Sequence, residues 1–484
     1  MDAITNFLLP IVQNINKYLS DYILIFLLVG IGLFYSIRTK FVQVRCFGEG
    51  MKKVFGNISL KGGKKKGGLS SFQALATAIA AQVGTGNIVG ACGAILVGGP
   101  GAIFWMWIIA FFGMATIYAE ATLAQETRIV QEDGSVLGGP VYYIRRAFKG
   151  AFGKFLAGFF AVAIILALGF MGSMVQSNSI SEAVSTASSG FVQPWMIGLV
   201  LAALCAFIFI GGVQRIAAVA EKIVPIMAVL YLVLGLIVLG FNFTKIPETF
   251  GMIFKYAFMP QAILGGAFGA GIKVAISQGA KRGLFSNEAG MGSTPHAHAQ
   301  ASVERPHDQG VVAMIGVFID TFVVLTITAL VVISTLYTGN GPLSTPELLA
   351  ANTDITKANM MQTAMGQIFG STTGNILVAL CLTFFAFTTI ISWNFFGKQN
   401  VQYLFGKKAT IVYSVLAIAF IFLGSLFPND LVWELADMFN NIMVIPNVIA
   451  LAVLSGIVVK AVKVGVAAKK AKKANKADTE ETAE

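Results

Sequence analysis

The sequence predicts an all-α polytopic membrane protein, and three observations carry that prediction. Hydrophobic residues fill 56% of the 484 positions and charged residues only 12%, with a mean hydropathy of +0.77, which excludes a soluble globule. Apolar windows recur from end to end, about eleven of them long enough to span a bilayer at about 1.5 Å of rise per residue. The second window is interrupted where a spanning helix should be most apolar, reading Gln82-Val83-Gly84-Thr85-Gly86-Asn87. Glycines on both sides of Thr85 favour local unwinding, and backbone groups freed in hydrocarbon cost several kcal/mol each unless something polar satisfies them. A cation and a small polar solute would do so.

The first window, 21–37, lies between Asp21 and Arg38, and Asp2 is the only charged residue before Lys17. Without a basic region ahead of it, this window reads as a retained spanning helix and not as a secretory signal. The others fall near 69–97, 102–124, 156–180, 195–213, 223–243, 259–280, 310–337, 374–397, 409–427 and 431–459. They divide the chain into an N-terminal helix with a basic linker (1–67), a first repeat of five helices (68–244), a second repeat of five (245–460) and a disordered cytoplasmic tail (461–484). Two halves with an odd number of spans must be inverted relative to each other. Each opens on a broken span: 83–87 in the first, and Gly265-Gly266-Ala267-Phe268-Gly269-Ala270-Gly271 in the second. Breaks at matching places in two halves are the sequence mark of a secondary transporter with a midplane site.

The net charge of +11 suggests nucleic acid only until its distribution is read. With the N-terminus outside and the C-terminus cytoplasmic, 29 of the 34 lysines and arginines fall in cytoplasmic segments, as the positive-inside rule requires. The linker lysines 61–66 and those of the tail then face solvent or anionic lipid heads. Cys46, Cys92, Cys205 and Cys381 are scattered without CxxC spacing and read as small buried hydrophobes.

Three segments resemble one family. Gly98-Gly99-Pro100-Gly101-Ala102-Ile103-Phe104-Trp105-Met106-Trp107, continuing to Gly113, looks like the signature of the sodium:alanine/glycine symporters. The stretches 82–90 and Lys281-Arg282-Gly283-Leu284-Phe285-Ser286-Asn287-Glu288-Ala289-Gly290-Met291-Gly292-Ser293 are similar to the same family, and the likeness covers all but the two ends. The resemblance implies the five-plus-five inverted repeat of the leucine-transporter type, with sodium-driven uptake of a small neutral amino acid such as alanine or glycine. It also implies a cell membrane, no covalent chemistry and no organic cofactor.

Candidate site residues follow from the breaks and from this resemblance. Gln82, Gly84, Thr85, Gly86 and Asn87 could contact solute or ion, or could instead let neighbouring helices pack closely, since Gly86 and Gly90 form a GxxxG pair. The fold implies that the amides of Gly84 to Gly86 meet a carboxylate, and that the carbonyls of Ala80 and Val83 face sodium. Phe385, Thr388 and Thr389 stand at i, i+3, i+4 in a segment resembling the sodium-binding eighth helix; threonines in spans also commonly bond their own helix. Trp393 is a pocket wall or an interfacial belt residue, and the family likeness favours the wall. Gln176 and Asn178 either grip the solute or mark the end of their span, with Asn178 preferred. Phe268, Gly269 and Gly271 complete the pocket from the second break.

The embedded charges have other readings. Lys273 snorkels toward the cytoplasm or replaces the ion, while Glu120, Asp320 and Asp437 brace helices or gate. His296-Ala-His298 lacks carboxylate or thiol partners at ligand spacing, and 283–301 reads as a cytoplasmic helix-turn covering the inner vestibule. The rivals are sodium-coupled glutamine uptake, a proton-coupled carrier using Lys273, Glu120 or Asp320, and a channel or sensor. A channel would need a continuous polar stripe, where the sequence has isolated polar breaks.

Overall fold

The computed structural model describes residues 2–56, 69–259 and 268–481. Apart from a short antiparallel ribbon, Ile129–Val130 with Val136–Leu137, the regular structure among these residues is helical. Among the described residues seven helices are long and apolar enough to cross a membrane, and the pair Ser71–Gln82 and Gly86–Gly98, bent by 47°, makes an eighth span, fewer than the eleven windows expected. Thr5–Arg38 precedes this core and packs beside it.

The helix lengths run in parallel in the two halves of the chain. After the bent pair the first half runs Ala102–Thr127, Gly150–Ala187, Pro194–Ile210 and Gly212–Phe241, of 26, 38, 17 and 30 residues. The second half, after Phe268–Asn287, runs Pro306–Tyr337, Ser371–Phe405, Ala409–Gly424 and Asn429–Val453, of 32, 35, 16 and 25 residues. Long, longer, short and long recur in the same order. Gly212–Phe241 shows why such helices lie in lipid: Ile226, Val229, Val233 and Leu236 are exposed while Met227, Tyr231, Leu234 and Val238 are buried.

Local chemistry places the bent pair. Ser70 and Gln73 form a reciprocal capping box that starts the first helix, and Val83, at φ −80° and ψ 85°, leaves helical space and ends it. The signature segment that follows is a packing device. Gly99 has φ 73°, and a Cβ on Gly101 would stand 2.1 Å from the Tyr256 carbonyl carbon, so this turn lies directly on the 246–258 helix. Trp105 Nε1 donates to the Ala257 carbonyl at 3.1 Å, and Trp107 Nε1 to Thr326 Oγ1 at 2.9 Å.

Four expectations change. Phe268, Gly269 and Gly271 are helical, in Phe268–Asn287, whereas Gly265, Gly266 and Ala267 fall outside the described residues. Lys281 and Arg282, expected in a solvent-facing segment, are buried on Asp437, each with a nitrogen 3.0 Å from Oδ2. Arg282 shares the Trp433 ring with Lys357. The Lys273 ammonium lies 2.8 Å from Tyr22 Oη, against the N-terminal helix. The tail expected to be disordered is helical over Ser455–Glu481, because Val458 and Val462 bury an apolar edge and alanine and lysine are good helix formers.

Gly101→Ala is expected to destabilise the protein by about 1–3 kcal/mol through overpacking, while Gly240→Ala, whose Cβ meets nothing within 4 Å, leaves stability unchanged or slightly raised. Thermal unfolding in detergent reads the difference.

Candidate functional site

The first break leaves amides that need partners, and Asn87 within the bend and Gln176 from another helix supply them. Gly84 N donates to the Gln82 carbonyl at 3.0 Å and to Asn87 Oδ1 at 3.1 Å, and Thr85 N donates to Gln176 Oε1 at 3.1 Å. Asn87 Nδ2 donates in turn to Asp320 Oδ1 at 2.7 Å. Gln82 Nε2 reaches the Asn287 carbonyl at 2.7 Å, joining the first break to the end of Phe268–Asn287. The Thr85 hydroxyl is fully buried without a hydrogen-bond partner, as are Gln82 Oε1 and both side-chain polar atoms of Asn394. Buried polar atoms left open in this way fit a polar solute.

The second break begins where Phe268–Asn287 ends. Glu288 (φ 59°), Gly290 (φ 91°) and Gly292 (φ 81°) turn the chain before Pro295–Ala299 resumes a helix. Glu120, from Ala102–Thr127, accepts from Gly290 N at 3.0 Å and Gly292 N at 2.9 Å. Asn447 completes the brace, donating to Glu120 Oε1 at 2.6 Å and to the Gly290 carbonyl at 2.9 Å. The stretch 283–301 is buried throughout. Gly290-Met291-Gly292 echoes Gly84-Thr85-Gly86, a signal present in the sequence but masked by the basic pair Lys281-Arg282 just before it.

The two breaks meet. A Cβ on Gly86 would stand 3.0 Å from Ser286 Cα, and one on Gly84 would stand 2.5 Å from Thr389 Oγ1. Thr389 Oγ1 lies 2.9 Å from the Ala80 carbonyl and 3.0 Å from the Phe385 carbonyl, and Thr388 Oγ1 lies 2.9 Å from that same Phe385 oxygen. Hydroxyl and carbonyl oxygens of two helices thus converge beside the first break, a donor set of the hard kind that suits an alkali cation. Val83 is buried at the bend, next to this group in sequence.

Trp393, one helical turn beyond Thr389, is buried; its Nε1 donates to Glu288 Oε1 at 2.5 Å, and its ring stands edge-on to Phe285, 5.7 Å between centroids. Phe285 packs in turn on Trp433, 4.8 Å away, beneath Arg282. Ser286 donates to Asp320 at 2.9 Å, so this carboxylate joins both breaks; among the described residues no basic side chain pairs with it. It sits on a widened, π-type turn, Phe318–Leu325.

Two candidates exchange places. Asn178 does not reach the breaks: its Nδ2 donates to the carbonyls of Gly424 and Phe427, and its Oδ1 accepts from Asn429. Gln176, two residues earlier and on the inward face of the same helix, holds the Thr85 amide instead. Phe285, Ser286 and Glu288 occupy the place expected for Phe268, Gly269 and Gly271. His296 and His298 bond to separate partners, Asn400 and Gln309, at 2.8 and 2.9 Å.

Paired breaks at the centre of a bundle of membrane-spanning helices are the mark of a secondary membrane transporter. The chain matches the model of the sodium:alanine symporter family over residues 5–479 and belongs to that family. It is 40% identical over 454 residues to the sodium/alanine symporter AgcS of Methanococcus maripaludis, covering 94% of this chain and 96% of that one. Two Bacillus subtilis relatives are a putative sodium/proton-dependent alanine carrier, YrbD, 40% identical (92% and 90% covered), and a probable sodium/glutamine symporter, GlnT, 39% identical (95% and 91% covered). The fold is shared with MhsT, solved in complex with L-phenylalanine, at a TM-score of 0.56 and 14% identity over 81% of this chain and 90% of that one.

Gly84→Ala is expected to abolish binding of labelled alanine to the purified protein, because the added methyl displaces Thr389 and Gln176 together. Gly90→Ala, whose Cβ would stand no closer than 3.7 Å to a neighbour, retains binding.

Proposed function

We propose that this chain couples inward sodium movement to uptake of a small neutral amino acid, alanine or glycine foremost, by alternating access. One observation carries the reading: the oxygens of Ala80, Phe385 and Thr389 converge against Gly84, so the groups suited to sodium and those suited to the solute touch. Thr389 and the two carbonyls would hold the ion, with Thr388 and the Val83 carbonyl beside them. The solute would lie between the breaks, its carboxylate near the 84–86 amides. Gln176 Oε1 already accepts from Thr85 N there, standing where a carboxylate oxygen would act, so solute entry displaces it.

The walls favour a short side chain. Trp393 and Phe285 are buried on one side, and Gly172 packs so closely on Trp393 that its Cβ would come within 2.5 Å of the ring. A longer amide such as glutamine needs room that these rings fill.

Energetically, one sodium entering at 100 mV contributes about 2.3 kcal/mol, and a tenfold gradient about 1.4 more. Together these support roughly several-hundred-fold accumulation. The orientation that matches this direction has the N-terminus outside and the C-terminus in the cytoplasm of a prokaryotic cell, and it is supported by the lysine and arginine bias, which stands after Lys281 and Arg282 are set aside.

A second reading, proton coupling, has its own observation. Asp320 is fully buried among neutral donors, and such a carboxylate requires a proton or a cation nearby.

Uptake of labelled alanine into proteoliposomes under imposed sodium, potassium or proton gradients separates the two. Sodium-driven accumulation is expected, with unlabelled glutamine competing weakly. Thr389→Ala should raise the sodium concentration for half-maximal uptake at least tenfold, about 1.4 kcal/mol, with a smaller change in the alanine requirement at saturating sodium. Accumulation driven by protons alone, unaffected in Thr389→Ala and lost in Asp320→Asn, would replace the sodium reading.

A further inference from the structure

A second chemically distinct cluster lies away from the breaks, where the 42–55 linker, the start of Pro306–Val317 and the C-terminal helix Ser455–Glu481 meet. Cys46, Glu49 and His307 each direct one ligand atom into a common space, all within 4.8 Å of one another. Among the described residues no other group of histidine, cysteine and carboxylate side chains converges in this way. We infer that Cys46, Glu49 and His307 form a binding site for a borderline-soft divalent cation of the zinc class, independent of the transported ion.

The donor set fits that metal. Thiolate, imidazole and carboxylate are the three ligand types zinc takes, and one thiolate with one carboxylate offsets a double positive charge. Bonds of about 2.0–2.3 Å bring tetrahedral ligands to about 3.3–3.8 Å of each other, so closure asks for movements of about 1 Å.

The imidazole is already set for the task. His307 is 1% exposed; its Nδ1 lies 2.7 Å from Tyr118 Oη, which fixes the ring, and its Nε2 has no hydrogen bond and faces Glu49 Oε1 at 3.3 Å. An outer partner on the far nitrogen is how metal-binding histidines are held. The C-terminal helix closes over the ring at Gly465, where a Cβ would stand 2.1 Å from Cδ2, so only glycine fits.

Charge does not oppose occupancy. Lys469 Nζ lies 3.3 Å from Glu49 Oε2, the oxygen turned away from His307, and Lys53 and Arg305 are taken up by Asp308. A cavity of about 210 Å³ lined by His307, Arg305, Glu126 and Lys460 gives a path to the ring. On binding, the Cys46 S–H bond gives way to a sulfur–metal bond and its proton leaves to solvent.

The competing account is an ion-pair latch in which Glu49 simply bridges His307 and Lys469. The full-length protein, purified in detergent and stripped with chelator, is titrated with cobalt(II) as the spectroscopic probe. The metal site predicts one cobalt per chain, a thiolate-to-cobalt charge-transfer band, and displacement by zinc. Cys46→Ser should abolish the band and His307→Gln should weaken binding at least tenfold, each variant eluting as a monodisperse peak. Lys469→Ala should bind cobalt at least as tightly, since it removes a competing charge, and the triple variant Cys92→Ala, Cys205→Ala, Cys381→Ala should keep the band. Absence of stoichiometric binding, a band that persists in Cys46→Ser, or weaker binding in Lys469→Ala would overturn the site in favour of the latch.

Discussion

The structure depends on one constraint: backbone amides released inside an apolar bundle must find acceptors there. Each half meets it with side chains borrowed from elsewhere. Gln176 and Asn87 hold the first break, and Glu120 with Asn447 holds the second. Glu120 is the more demanding case, since a buried carboxylate is tolerated only when its lone pairs are engaged. It accepts from two backbone amides and one side-chain amide, and Tyr143 steadies Asn447 from behind at 2.5 Å. Gln176, Glu120 and Asn447 come from the long helices Gly150–Ala187, Ala102–Thr127 and Asn429–Val453, so the breaks rest on regular structure, with Asn87 adding a bond from within the bend itself.

Much of this was legible in the sequence. Composition gave the class, and a glycine-flanked polar run within an apolar window located the first break to the residue, because no other arrangement makes such a run tolerable. The one-turn spacing of Phe385 and Thr389 was also readable, as the i, i+4 rule places both oxygens on one helix face. Glycine content pointed to 265–271, of which only 268–271 is described and is helical, while the turn at 288–292 was not singled out because it follows two basic residues that resemble a membrane boundary. Lys281 and Arg282 are buried only because Asp437, more than 150 residues away, is there to receive them. That pairing is a tertiary fact. Asn178 and Gln176 differ by two positions, a 200° rotation on a helix, which cannot be resolved without knowing the face.

The charge pattern also acquires a layered meaning. On one side of the breaks Arg282 and Lys281 meet Asp437, with Arg282 over the Trp433 ring, and Phe285 links that layer to Trp393. One aromatic stack therefore joins the ion-paired layer to the ring beside Glu288. A shift of Phe285 is felt in both places, because close-packed interiors transmit displacement.

On the other side, the chain just ahead of the first helix is stitched to the segment just after the second break. Leu69 N donates to the Gln300 carbonyl at 2.9 Å and its carbonyl accepts from Ser302 N at 3.0 Å, while Gln125 and Arg128 hold the neighbouring carbonyls of 298–301. The pairing itself is made of backbone groups, with Gln125 and Arg128 as the side chains that reach the neighbouring carbonyls. Parting it would free donors and acceptors beside a cavity lined by Leu69 and Gln300, where water can take them over, so hydration enters the cost of opening this seam alongside its side-chain contacts.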